Sequence, residues 1–130
     1  MPKTYNPATI AKPTGRYQHA IEVKQGARTL YLSGQVGNLP DGSVPKTIEA
    51  QAAAVWANIG AILADAGMGF ADLIKITILL TDKAYILPSR AARDKALGDI
   101  RPPASTLMIV SALASPDFMI EIEAIAAKEE

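Results

Sequence analysis

The sequence contains no cysteine. That absence removes disulfides, thiolate metal ligands and a thiol nucleophile together, and it argues against a secreted, disulfide-stapled fold. Histidine occurs once, as His19. Without Cys or a second His there is no ligand set for an ordinary zinc site, so no metal is expected. Charge of one sign is also missing, because 13 basic residues offset 13 acidic ones. A general nucleic-acid binder carries a basic excess to neutralise phosphates, and no nucleic-acid partner is expected here. No apolar run approaches the roughly 18 residues of a membrane span. The opening stretch MPKTYNPATIAKPTGRYQ lacks the apolar centre of a signal peptide. The expectation is a cytoplasmic protein with no membrane contact.

Aromatic residues make up only 5% of the chain, against a hydrophobic fraction of 49%. The core must therefore be aliphatic, built from Ala, Ile, Leu and Val. The length of 130 residues suits one domain spanning 1–130. A chain of this size buries roughly two-thirds of the surface it would expose unfolded.

Residues 1–16 read as an irregular arm punctuated by Pro2, Pro7, Pro13 and Gly15. Tyr17 to Lys24 and Arg28 to Ser33 read as two strands, and the short Gln25–Gly26–Ala27 link between them predicts a hairpin. Residues 34–46 hold three glycines and two prolines and form a loop. From Thr47 to Ala66 the pattern is helical. Ile48, Ala52, Val55, Ile59, Ile62 and Ala66 make one apolar stripe, with Thr47 as N-cap and Gly67 past the C-terminus. Asp72 to Thr81 (DLIKITILLT) reads as a strand covered on both faces, by helices on one side and by something else, such as another subunit, on the other. Pro88 to Leu97 predicts a second helix, with Pro88 in its first turn. Ala104 to Ser111 and Phe118 to Ala127 complete the set. The order β-β-α-β-α-β-β is that of an α+β fold, a mixed sheet with two helices on one face.

The stretch FMIEIEAIA at 118–126 carries Glu121 and Glu123 two apart on a strand, so both point to one face. Two carboxylates among aliphatic residues need solvent, a partner such as Lys75 or an arginine, or a pocket. Ser33–Gly34–Gln35–Val36–Gly37 ends a strand with glycines, which marks either a tight turn or a backbone ligand site. It lacks the strand–GxGxxG–helix context of a dinucleotide site. Tyr17 can line a pocket or fill the core. Arg90 and Arg93 share a face of the second helix, as an anion site or as a solvated surface. No GxSxG elbow supports a role for His19 beside a serine.

Several segments together resemble the RidA/YjgF family, also called L-PSP endoribonuclease-like. They are Gly15-Arg16-Tyr17, Leu32-Ser33-Gly34-Gln35, Gln51 with Asn58, Ala66-Gly67, Asp72 to Thr77, Asp82, Pro103-Ala104-Ser105-Thr106 and Ile120 to Ala126. The resemblance implies a chorismate-mutase-like α+β fold assembled as a homotrimer, with a small-molecule ligand in the cleft between subunits. It further implies hydrolysis of reactive enamines and imines to a keto acid and ammonia, without metal or cofactor. Glu121 matches the glutamate thought to position water or move a proton. Tyr17, Ser33 and Gly34 match pocket-lining positions. At Ser105 the sequence departs from the family, whose Pro-Ala-Arg-Ser pattern holds the substrate carboxylate with its arginine. A hydroxyl cannot form that bidentate charged pair.

Three readings follow. One is an imine or enamine hydrolase with a substrate other than the usual 2-imino acids, its anion held by Arg90, Arg93 or Arg101. Another is a non-catalytic binding or regulatory trimer that keeps the cleft. A ribonuclease finds little support in a chain with zero net charge, few aromatics and one histidine.

Overall fold

A computed structural model describes residues 2–129. Six strands, two α-helices and two short 3-10 turns occur among them. Strands β1 (Lys3–Tyr5) and β2 (Ala20–Glu22) form a small antiparallel pair. Strands β3 (Arg28–Val36), β4 (Leu73–Leu80), β5 (Ala104–Ile109) and β6 (Ile120–Lys128) form a mixed sheet in the order β3-β6-β4-β5. Both β3 and β4 run antiparallel to β6, while β5 runs parallel to β4. Helices α1 (Ile48–Asp65) and α2 (Ile86–Leu97) pack beside each other. Both contribute to the core on one face of the sheet. The fold is therefore α+β, as the pattern of elements predicts.

Strand alternation determines which side chains reach that core. Ile76, Ile78 and Leu80 of β4 and Ile120, Ile122, Ala124 and Ala126 of β6 point toward the helices and are buried. The alternate residues Lys75, Thr77, Leu79, Glu121, Glu123 and Ile125 lie on the opposite face, which is partly open. Tyr31 on that same face is 77% exposed.

Helix α1 starts where predicted. The Thr47 hydroxyl accepts a hydrogen bond from the Ala50 amide at 3.2 Å. Gly67 follows the helix with φ +71°, a conformation that favours glycine. The buried face is wider than one stripe, because Trp56 and Leu63 are also in the core. The reason is that α1 packs against α2 as well as the sheet.

Two expectations need correction. The turn at Gly26 is present, with Ala27 donating to the Lys24 carbonyl, but it does not close a hairpin. Instead β2 pairs with β1, Thr4 opposite Ile21, and β3 pairs with β6. The three-residue β2 offers little apolar surface, whereas the nine-residue β6 offers β3 a long partner. The arm at 1–16 thus contributes a strand.

Gln51 is fully buried. Its Nε2 donates to the carbonyls of Pro45 (2.9 Å) and Asp117 (2.8 Å), and its Oε1 accepts from the Met119 amide at 2.9 Å. Only this amide orientation fits, because two carbonyls face the nitrogen and an N–H faces the oxygen. Asn58, two turns on, donates to the carbonyls of Val36 and Asn38, each at 3.1 Å. Replacing Gln51 by Leu removes the hydrogen bonds to three partly buried backbone groups. The expected loss is about 3 kcal/mol of stability, read from urea unfolding. A loss below about 1 kcal/mol would mean that water takes over the amide's role.

Candidate functional site

The residues singled out by sequence separate into two groups on opposite faces of the sheet. Ser105 stands beside Ile76 in the β4–β5 register, so it faces the helix layer. There it joins Tyr17, Arg90 and Arg93, together with Thr14, Gly15, Ile78 and Leu107, around a cavity of about 220 Å³. Glu121 stands opposite Leu79 on one side and Val36 on the other, facing away from the helices. Ser33 and Gly34 lie in β3 next to it.

The arm reaches the first group because Arg16 is anchored. Its NH2 donates to the carbonyls of Gly98 (2.8 Å) and Ile100 (3.2 Å) at the C-terminal end of α2, and its NH1 donates to Asp94 Oδ1 at 3.3 Å. Cations are favourable at this end of a helix, where carbonyls lack partners. Gln18 then bridges to Ala104 at the edge of β5, with its amide donating to the Pro103 carbonyl. Tyr17 sits between these two anchors and meets His19 edge to face at 5.8 Å. The Thr14 hydroxyl lies 3.5 Å from the Tyr17 hydroxyl, and the Thr14 amide donates to it at 3.3 Å. These contacts, the hydroxyl first, lower the phenol's pKa from its ordinary value.

The α2 arginines differ from each other. Arg93 is buried, with Nε and NH2 donating to Asp94 Oδ1 at 3.1 and 3.0 Å. Arg90 is exposed, and among the described residues it has no hydrogen-bond or ion-pair partner. Asp94 thus serves Arg16 and Arg93 at once. The sequence pattern did not reveal this, because adjacent opposite charges in a helix are common. Arg101 does not line the cavity. Its guanidinium nitrogens are buried without a hydrogen-bond partner.

The second group is shaped by a bulge. Leu32 pairs with Ala124 and Gln35 with Ile122, so Ser33 and Gly34 together oppose Glu123. This brings the Gly34 backbone against the Glu121 side chain. A Cβ built on Gly34 overlaps the Glu121 carboxylate and lies 2.9 Å from its Cγ. The half-buried carboxylate has no hydrogen-bond or ion-pair partner among the described residues. Lys75 donates instead to the Thr106 hydroxyl at 2.7 Å, leaving Glu123 exposed. Among the described residues no cluster of three metal-ligating side chains occurs, and no helix is long and apolar enough to cross a membrane.

A mixed sheet backed by two helices, with a carboxylate on its open face and a basic cavity at its far edge, matches an α+β protein of the Rid type. The profile of the endoribonuclease L-PSP family matches residues 8–128, and the chain belongs to that family, the Rid or YjgF family of its structural neighbours. Among curated relatives, a RutC family protein of Pyrococcus abyssi is 35% identical over 120 residues, 91% of each chain. The 2-iminobutanoate/2-iminopropanoate deaminase of Mus musculus is 37% identical over 105 residues, 68% of this chain and 73% of its own. The Rid-family protein YyfB of Yersinia pestis superposes with a TM-score of 0.88 at 29% identity, covering 98% of both chains. E. coli TdcF, solved with bound serine, gives 0.74 at 28% identity, covering 88% of this chain and 90% of its own.

Gly34→Ala should leave the fold intact and force the Glu121 side chain into another rotamer. A crystal structure of the variant checks this, and a carboxylate found unmoved would show that Gly34 does not control it.

Proposed function

We propose that the protein hydrolyses enamine or imine intermediates to a carbonyl compound and ammonia, with Glu121 as its catalytic carboxylate and a substrate other than the usual 2-imino acids. The observation that carries this reading is the Glu121 carboxylate, held against Gly34, half-buried and without a partner. Such a group is free to accept a proton. The deaminase name of the mouse relative supports the reaction class, and the serine bound to TdcF supports a small ligand.

The chemistry balances with water alone. An enamine takes a proton from water on carbon and becomes the iminium ion, the form that the imine also reaches on taking up a proton. Glu121 accepts a proton from water as the oxygen bonds to the C=N carbon, giving a neutral carbinolamine. Glu121 then returns that proton to nitrogen. The hydroxyl gives its own proton to solvent as the C=O bond forms and the C–N bond breaks, and the carbonyl compound and ammonia leave.

One chain cannot present both groups to one substrate, because the sheet lies between them. Glu121 is next to edge strand β3, while Ser105 is on edge strand β5 at the other side of the sheet. A head-to-tail ring in which the β5 edge of one copy meets the β3 side of the next would join them. We assign that ring three copies of a single Rid-like domain, residues 1–130, with the ligand cleft between neighbours and Tyr17, Ser33, Gly34 and Ser105 lining it. The open sheet face, with Tyr31 exposed, would be covered in the same assembly. Ser105 in place of the family arginine favours the second reading, a binding or regulatory trimer without turnover.

An amino-acid oxidase coupled to semicarbazide trapping separates the two. Wild type should divert the imine from semicarbazide, and Glu121→Gln should lower that rate on the order of 100-fold. Wild type without effect on any imine tested would favour the binding protein. Sedimentation equilibrium should give three times the 13.7 kDa chain mass, and a monomer would leave the site incomplete.

A further inference from the structure

The loss of the strand arginine does not leave the cavity beside Ser105 without positive charge. Arg90 and Arg93 both line it from α2, and no carboxylate is among its lining residues. Among the described residues its charged lining is Arg90 and Arg93, and Arg93 is bonded to Asp94, which also binds Arg16. Asp94 is already shared between Arg16 and Arg93. Arg90 therefore stands uncompensated at the rim, beside an Arg93 that is only 8% exposed and fixed in place by its two bonds to Asp94. A concave site with unbalanced guanidinium charge attracts an anion, and a carboxylate fits its planar donor fork.

The position of this charge matters as much as its sign. A guanidinium at residue 105 would extend from the strand itself. Here it comes from the helix layer, and Ile78 and Leu107 add apolar lining to the same cavity. We infer that α2 supplies the anion-binding group that β5 has lost, and that the substrate is an imine or enamine whose carboxylate is separated from the C=N carbon by an apolar spacer of several carbons. Arg90 makes the contact, Arg93 fixes the local charge, and Ser105 and Tyr17 offer hydroxyls to the rest of the ligand. This rests on the hydrolase reading for the reacting group, but the anion subsite is tested by binding alone.

The test is isothermal titration calorimetry on the purified full chain in its native oligomeric state, at low salt, with stable ketones as probes. The probes are 5-oxohexanoate, its uncharged counterpart 2-hexanone, and 2-oxobutanoate, whose carboxylate adjoins the carbonyl. Wild type should bind 5-oxohexanoate at least about tenfold more tightly than either other probe. Arg90→Gln should weaken 5-oxohexanoate at least about tenfold, the loss expected for one charge-assisted hydrogen bond, and leave 2-hexanone unchanged. Arg90 is exposed, so this variant should fold, and matching unfolding curves would verify it. Ser105→Arg should move the preference toward 2-oxobutanoate. Equal affinity for 5-oxohexanoate in wild type and Arg90→Gln would overturn the inference, as would a wild-type preference for 2-oxobutanoate or no binding of 5-oxohexanoate. Turnover is scored separately with Glu121→Gln. A hydrolase failure appears there, whereas a failure of the anion subsite appears only in the calorimetry.

Discussion

The amide of Gln51 is the joint on which the functional end of the molecule depends. It is buried, and it satisfies a carbonyl before α1, a carbonyl before β6 and the amide of Met119. Each of those backbone groups is partly buried and would otherwise lose a partner. The helix thereby fixes the height at which β6 enters the sheet, and that entry point places Glu121 two residues later. Gly37 belongs to the same joint. A Cβ there would lie 2.7 Å from the Gln51 Cα, so the loop after β3 can approach α1 only as glycine. One polar side chain and one missing side chain thus hold both neighbours of the carboxylate in register.

The division of the site follows from this geometry. A β-strand sends successive side chains to opposite faces, and the sheet uses one face to seat the helices. Ser105 falls on the seated face and Glu121 on the open one. The charge of the cavity beside Ser105 is then set by what the helix layer presents at the edge of β5. In this chain that layer presents Arg90 and Arg93, steadied through Asp94 by the arm that Arg16 clamps to the end of α2.

Much of this was legible in the sequence. The period-two pattern of DLIKITILLT and FMIEIEAIA located β4 and β6 and put both glutamates on one face. Thr47 and Gly67 bounded α1 within a residue. The pairing of β2 was not legible, because a turn signal at Gly26 says where the chain bends and nothing about which strand it joins. The contact between Gly34 and Glu121 was hidden for a related reason: a bulge shifts register by one residue, and the pattern of Leu32, Ser33 and Gly34 does not announce it. Trp56 and Leu63 fall outside the apolar stripe named from the sequence, although each sits four residues after one of its members, Ala52 and Ile59, and both are buried. The role of Asp94 depended on the arm folding back across 78 residues of chain, a contact no local pattern encodes.

The strand order carries a consequence for how the chain is made. β6 follows the other strands of the sheet in the chain, yet it lies between β3 and β4 and supplies a partner to each. Before it emerges from the ribosome, β3 has no neighbour and the β4–β5 pair has only one finished side. Parallel pairing of β4 and β5 across α2, and the long separation of β3 from β6, both load the folding step with distant contacts. The sheet must therefore remain open, its aliphatic strands unsealed, until β6 has been made. Its exposure to chaperones and to aggregation before that point follows from the late place of β6 in the sheet's order.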